Sequence, residues 1–258
     1  MTEAAPKDDV RRAWLDEDEA NLSAARVAKH RLVEQVRRLV DATFQLDTGD
    51  ADYGPRRDGA PAWEDGGPSA ATDTATDTDR AAEFMALAAE AEALADRVGE
   101  LPRIPRAEID GANVSLARRH DTLLVERSPI NGRGNPLAPP VRMWADGEVI
   151  RGEAYFTAPY EGPAGRVHGG WVAACFDELL GCAQGASGAF GFTGTLTITL
   201  RRATPLYTKI TYEAGFSHRE GRKIHGWGRC YADGVLTAEA SGVFVVPAAG
   251  RIGHGTAQ

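Results

Sequence analysis

The chain has 258 residues, a formal net charge of −8 and a pI near 5.3, which fits one large domain or one compact domain with an added segment and argues against a general nucleic-acid binder. Its cysteines, Cys175, Cys182 and Cys230, are odd in number and form no CxxC, so neither a disulfide framework nor a zinc cage is expected. Residues 1–14, MTEAAPKDDVRRAW, carry charge where a secretory leader needs an apolar run, and no window approaches the roughly 18 uninterrupted apolar residues of a membrane span, so a cytoplasmic protein is expected.

Acidity is concentrated early: residues 1–119 hold 25 Asp/Glu against 16 Lys/Arg, residues 120–258 hold 12 against 13. The second part is the better host for an anionic ligand. From Val10 to Phe44 the pattern is helical, with Trp14, Val27, Val36, Leu39 and Val40 recurring at spacings near three, four and seven. Residues 47–80 are rich in Asp, Gly, Pro, Ala and Thr and read as a flexible acidic linker. A second helix is expected from Ala81 to Val98, with Phe84, Leu87, Ala91 and Leu94 on one face and Gly99 as a stop signal. Residues 101–119 read as a connection. Residues 1–119 thus form an N-terminal helical extension, its two helices pairing on the main domain or at an oligomer contact.

The main domain is expected over residues 120–258. TLLVER (122–127) is strand-like, and SPINGRGNPLAPP (128–140) is a loop by its Pro, Gly and Asn content. VRMWADGEVIRGEAYF (141–156) reads as a hairpin around Asp146–Gly147. Strands follow at TGTLTITLRR (193–202), KITYEAGFSH (209–218), RKIHGWGRCYA (222–232) and VLTAEASGVFVV (235–246), with Glu220–Gly221 and Asp233–Gly234 at the last two turns. Residues 171–183, WVAACFDELLGCA, are apolar nearly all round, as a helix wrapped by a sheet would be. The fold class is therefore α+β, about six antiparallel strands wrapped around one central helix.

Residues 162–181, GPAGRVHGGWVAACFDELLG, place His168 and the pair Gly169–Gly170 at the start of that helix and Asp177 within it. Free amides at a helix N-terminus polarise an oxyanion, and one such donor contributes roughly 3–4 kcal/mol to a transition state. Asp177 has Ala173, Ala174, Leu180 and Gly181 as its helical neighbours, none able to pair with a carboxylate. A carboxylate buried without a partner is costly and is usually retained for chemistry; the bland alternative is that Asp177 and Glu178 mark a solvent-facing edge. Glu178, between Ala174, Cys175 and Cys182, is the second candidate. Taken singly, His168 is a capping residue and the glycines a tight turn; Thr193, at the start of the next strand, reads as an ordinary strand threonine, the alternative being that it holds a water or the carboxylate. Cys175 and Cys182 read as small core residues, and His218 and His225 as surface residues flanking a hairpin. Arg201, Arg202, Arg222 and Lys223 sit at strand ends, where basic residues solvate an edge or hold a phosphate. There is no G-x-S-x-G and no H-E-x-x-H, so serine-hydrolase and zinc-protease readings lack support.

Residues 141–246 resemble the hotdog-fold thioesterases of the phenylacetate-pathway (PaaI) type, nearest the branch with a GPPG-x-x-HGG loop. Here that loop reads Gly162, Pro163, Ala164, Gly165, Arg166, Val167, His168, Gly169, Gly170. The family places its catalytic acid eight residues after the first glycine of the pair, where Asp177 stands, and a Thr or Ser near the next strand's start, where Thr193 stands. The run ending LRRATPL is similar to the family's strand exit, whereas Tyr160 and Glu161 replace an asparagine that some members carry. The resemblance implies hydrolysis of acyl-CoA thioesters without a metal or other cofactor, in dimers with the active site at the subunit interface, often assembled further into tetramers. It gives Asp177, Gly169, His168 and Thr193 as catalytic and Gly170, Thr195, Arg201 and Arg202 as substrate-binding residues. The small residues Gly185, Ala186, Gly188, Ala189 and Gly191 suit a roomy site and medium- to long-chain fatty acyl groups. A non-catalytic acyl-CoA-binding or scaffold protein is the alternative. A hotdog dehydratase fits less well, because Cys182 stands where a hydratase-like spacing needs a histidine.

Overall fold

The computed structural model describes residues 22–44, 46, 77–103 and 126–248. The chain divides into two compact units, residues 1–44 with 112–258 and residues 45–111. The second unit contributes one described helix, α2 (Asp77–Gly99). Its first four residues fall where the linker was expected, so the helix starts four residues before Ala81. The expected linker over 47–76, the early part of the first helix (10–21) and the connection over 104–119 lie outside the described residues.

In the first unit, helix α1 (Ala24–Phe44) precedes six strands: β1 (Val141–Asp146), β2 (Val149–Tyr155), β3 (Phe192–Leu200), β4 (Lys209–Glu220), β5 (Lys223–Ala232) and β6 (Val235–Val245). Helix α3 (Gly169–Ala183) lies between β2 and β3 in sequence. The sheet is antiparallel throughout, in the order β1-β2-β4-β5-β6-β3, so β3 is an edge strand although it is third in sequence. Residues 122–125 of TLLVER lie outside the described part, and Glu126 and Arg127 are helical rather than extended. Two turns sit one residue later than expected. Gly147–Glu148 and Gly221–Arg222 are the central pairs, each led by a positive-φ glycine, while Asp233 and Gly234 both adopt positive φ, as a type I′ turn requires.

The core follows from strand alternation. On β5, Ile224, Gly226, Gly228, Cys230 and Ala232 are buried while the residues between them are not, and Ile210, Tyr212 and Ala214 of β4 face the same side. They enclose Val172, Cys175, Phe176, Leu179 and Leu180 of α3, all essentially inaccessible. The sheet approaches the helix closely because glycines oppose its large side chains. A Cβ on Gly228 would lie 2.9 Å from Phe176 Cδ1, and one on Gly226 would lie 3.0 Å from Leu180 Cδ2.

Helix α1 is fastened to the loop before β1 mainly by polar contacts. His30 Nε2 lies 2.9 Å from both carboxylate oxygens of Glu126, and Lys29 Nζ lies 3.2 Å from one. Arg37 Nη2 donates to the carbonyls of Gly132 (3.0 Å) and Asn135 (2.7 Å). Burial alone would raise the pKa of Glu126, but the hydrogen bond and charge of His30, together with Lys29, hold it below the usual value.

Gly228→Val places a branched side chain against the fully buried Phe176 ring. Overpacking of this kind costs about 1–3 kcal/mol, which outweighs the roughly 0.5–1 kcal/mol a strand gains on losing a glycine. A lower midpoint in urea denaturation with an unchanged slope is the expected result; an unchanged or higher midpoint contradicts this packing.

Candidate active site

The loop entering α3 is built so that its last residue caps the helix. Glu161 pairs with Val167 across the loop, and its carboxylate accepts the Gly165 N–H at 2.5 Å. The Val167 N–H donates to Thr204 O at 2.8 Å and the Leu206 N–H to Gly165 O at 3.1 Å, so the segment after β3 clamps the loop. Tyr160 stacks edge-on against Trp171 with centroids 5.2 Å apart, and its carbonyl accepts the His168 N–H at 2.9 Å. His168 is then the N-cap: its Nδ1 accepts the Gly170 N–H at 3.0 Å, and its carbonyl accepts the Trp171 N–H at 2.9 Å. Gly170's amide is therefore already engaged, whereas Gly169's has no hydrogen-bond partner among the described residues. A Cβ at Gly169 would come within 3.1 Å of Leu200 Cδ1, the last residue of β3, so this amide lies beside the end of the edge strand.

Asp177 lies at the other end of that strand. Its Oδ1 accepts a hydrogen bond from Thr193 Oγ1 at 2.9 Å. This contact depends on a bulge. Thr193 pairs with Phe244 and Thr195 with Val243, leaving Gly194 as the extra residue, and a bulge of this kind re-aims the side chains on either side of it. Thr193 consequently shares the inner face with buried Phe244 and reaches α3. Thr195 follows the alternation of Thr197 and Thr199 on the outer face, opposite to Asp177. The expectation that Asp177 is stranded without a partner is corrected: within one chain its side chain is exposed and paired with Thr193.

The half-buried carboxyl is the neighbouring Glu178. Ser128 Oγ lies 2.8 Å from Glu178 Oε1 and also accepts the N–H groups of Ile130 and Asn131, so its hydroxyl hydrogen is directed to Glu178. Burial raises the pKa of Glu178 above the ordinary 4.5; the Ser128 hydrogen bond opposes this and the charge of Asp177 adds to it. Two adjacent residues on one helix thus occupy contrasting environments, Asp177 open and Glu178 enclosed. Ser128 was not identified from sequence; the only signal for this contact was the apolar company of Glu178.

The basic residues differ from one another. Arg201 pairs with Glu239, which also lies 4.0 Å from Arg229, and both Arg201 and Arg202 donate their backbone N–H to Thr237 O. The Arg202 side chain is exposed with no ion pair among the described residues. Arg202, not Arg201, is therefore the uncompensated charge at the strand exit. Burial pushes the Cys175 and Cys182 thiols far up and that of Cys230 to about 11, against a role as nucleophile. His218 and His225 form a cross-strand pair with rings stacked 4.3 Å apart, and His225 is half-buried rather than a plain surface residue. Among the described residues there is no group of three or more His, Cys, Asp or Glu placed to hold a metal, and no helix is long and apolar enough to cross a membrane.

The chain is similar to the crystal structure of a thioesterase superfamily protein, at 28% identity, 84% of this chain, 90% of that one and a TM-score of 0.62. A putative thioesterase from Ralstonia eutropha JMP134, described as phenylacetic acid degradation-related, matches at 21% identity over 41% of this chain and 84% of its own, with a TM-score of 0.38. A hypothetical thioesterase from Streptococcus pneumoniae TIGR4, solved with coenzyme A, matches at 17% identity over 41% and 87% with a TM-score of 0.38. No family model and no curated protein matches the chain.

Glu178→Gln keeps the acceptor for Ser128 and removes the ionisation. A carboxyl whose folded pKa is raised stabilises the fold only while protonated, and that contribution is lost as pH rises through the folded value. The variant should therefore gain stability relative to the parent as pH rises above 4.5, with little difference below it. Urea midpoints at pH 4 and pH 8 check this; a variant that loses ground at pH 8 contradicts the assignment.

Proposed function

We propose that this chain, whose fold is that of the thioesterase-superfamily structure it resembles at 28% identity, hydrolyses acyl-CoA thioesters, with Asp177 as the reacting carboxylate. The Thr193–Asp177 hydrogen bond carries this reading. It fixes one oxygen of an open carboxylate and leaves the other for a water or for the substrate carbon. The Gly169 amide, held at the helix N-terminus by the His168 cap, is the donor for the oxyanion. His168 serves through that cap. In one route Asp177 takes a proton from water as it adds to the thioester carbon, and the tetrahedral oxyanion collapses to expel the CoA thiolate, which takes the proton. In the other, the carboxylate adds directly and expels the CoA thiolate, water then hydrolyses the mixed anhydride, and the thiolate takes the proton that this water releases. Both routes use the same atoms, and both stay open.

Within one chain Gly169 lies by Leu200 and Asp177 by Thr193, at opposite ends of β3. Eight helical steps separate them, about 12 Å of axis, too far for both to reach one carbonyl. An antiparallel pairing of β3 with the same strand of a second copy places the start of one strand beside the end of the other. Gly169 of one subunit then meets Asp177 of its partner. The state of β3 supports this: it is a nine-residue edge strand with Phe192 72% and Leu200 56% exposed, and long apolar edges of this kind invite pairing. The active unit is therefore a homodimer, alone or as a dimer of dimers. Arg202 is the better placed of the strand-exit arginines to meet a CoA phosphate, and the small residues after α3 favour medium- to long-chain acyl groups.

In a thiol-release assay across acyl-CoAs of varied length, including aromatic acyl groups, the parent should release CoA. Asp177→Asn should lose at least about 10²-fold in kcat while still binding substrate, and Thr193→Ala about tenfold. Tight acyl-CoA binding with no thiol release from the parent overturns the enzyme in favour of a binding protein. Parent-like rates in Asp177→Asn overturn the role of that residue.

A further inference from the structure

Apart from Phe84, the apolar residues of helix α2 are left uncovered by the described residues. From Thr78 to Gly99 every residue except Arg80 and Phe84 is exposed, including Leu87 at 51%, Leu94 at 42% and Val98 at 41%. In proteins most helical stability comes from packing of an apolar face rather than from propensity. Its apolar residues are regularly spaced: Phe84, Leu87, Ala91, Leu94 and Val98 follow one another at intervals of three, four, three and four. That is the a/d seam of a coiled coil, a narrower stripe than a helix uses to lie on a globular core.

We propose that α2 pairs antiparallel with α2 of a second copy of this chain. Two features select this occupant and this orientation. With Phe84 at an a position, the g positions are Glu83, Glu90 and Arg97 and the e positions are Ala88 and Ala95. In a parallel pair g faces e of the partner, so Glu90 meets only alanine. In an antiparallel pair g faces g, and Glu90 meets the partner's Arg97 twice by symmetry. The seam agrees. A parallel pair sets Ala91 against Ala91 and leaves a gap, whereas antiparallel layers set Ala91 against Leu94 and Leu87 against Val98, large against small. The alanines at e allow the axes to approach to about 8–10 Å. Two heptads offer less than the roughly 800 Å² per partner of a free-standing complex. Tethering to paired sheet domains supplies an effective concentration in the millimolar range; this part rests on the dimer proposed above.

The test uses the full chain with Cys182 replaced by Ala, nitroxide labels at Ala93→Cys or Ala82→Cys, and pulsed electron-spin distances beside sedimentation analysis. Both labelled positions face away from the seam. The Ala93 labels should lie within about 20 Å of each other across the pair and the Ala82 labels about 30–40 Å apart, given 1.5 Å of rise per residue. Leu94→Glu should abolish the short distance. Glu90→Arg should reduce it, and adding Arg97→Glu should restore it, because only opposed helices bring these positions together. Equal distances at both positions mean a parallel pair and overturn the orientation. A chain that sediments as a dimer with distant Ala93 labels overturns the pairing itself. A chain that sediments as a monomer at low concentration, and shows the short Ala93 distance only where it associates at high concentration, keeps the pairing and overturns the sheet-domain dimer.

Discussion

The hydrogen bond from Thr193 to Asp177 depends on one inserted residue in an edge strand. Without Gly194 as the extra residue between Thr193 and Thr195, strict alternation would put both threonines on the same face of the sheet. Given the outward direction of Thr195, Thr193 would then point away from α3. The bulge reverses Thr193 alone, so a strand that elsewhere behaves regularly delivers one hydroxyl to the helix. The strand's edge position leaves Asp177 open in the isolated chain while its orientation is already set.

The helix presents two carboxyls in succession and separates them by environment. Asp177 faces the strand edge with a single hydroxyl partner, whereas Glu178 is enclosed beneath the loop before β1 and held by Ser128. Contrasting surroundings of this kind divide roles between like groups. The open carboxylate suits chemistry, and the enclosed one joins α3 to a loop that α1 also grips through His30, Lys29 and Arg37. Part of the N-terminal extension is thereby built into the domain that carries the site.

Much of this was legible in the sequence because it rests on local rules. Turn glycines, β-branched runs and an all-round apolar helix gave six strands and α3, and the run from Gly162 to Asp177 marked the candidate site, whose loop and helix the fold builds as one capped unit. What could not be read depends on distant pairing. The burial of Asp177 was inferred from its helical neighbours, but exposure is decided by β3 and the loop before β1, residues far away in sequence. The inward direction of Thr193 follows from a bulge that Gly194 permits and no periodicity announces. Arg201 and Arg202 are alike as letters; only Glu239, brought alongside by β6, separates them. In α2 the apolar stripe was visible, but the meaning of its spacing emerged only once the helix was found uncovered.

The central claim is that donor and carboxylate act on one thioester from two different subunits, and complementation between inactive variants tests it most directly. Gly169→Pro removes the amide at a helix position that tolerates proline, and Asp177→Asn removes the reacting carboxylate. Each protein alone should be inactive. After mixed refolding, half of the dimers should be heterodimers with one intact site, giving about a quarter of the parent rate on random symmetric assembly. A mixture as inactive as its components would contradict a shared site.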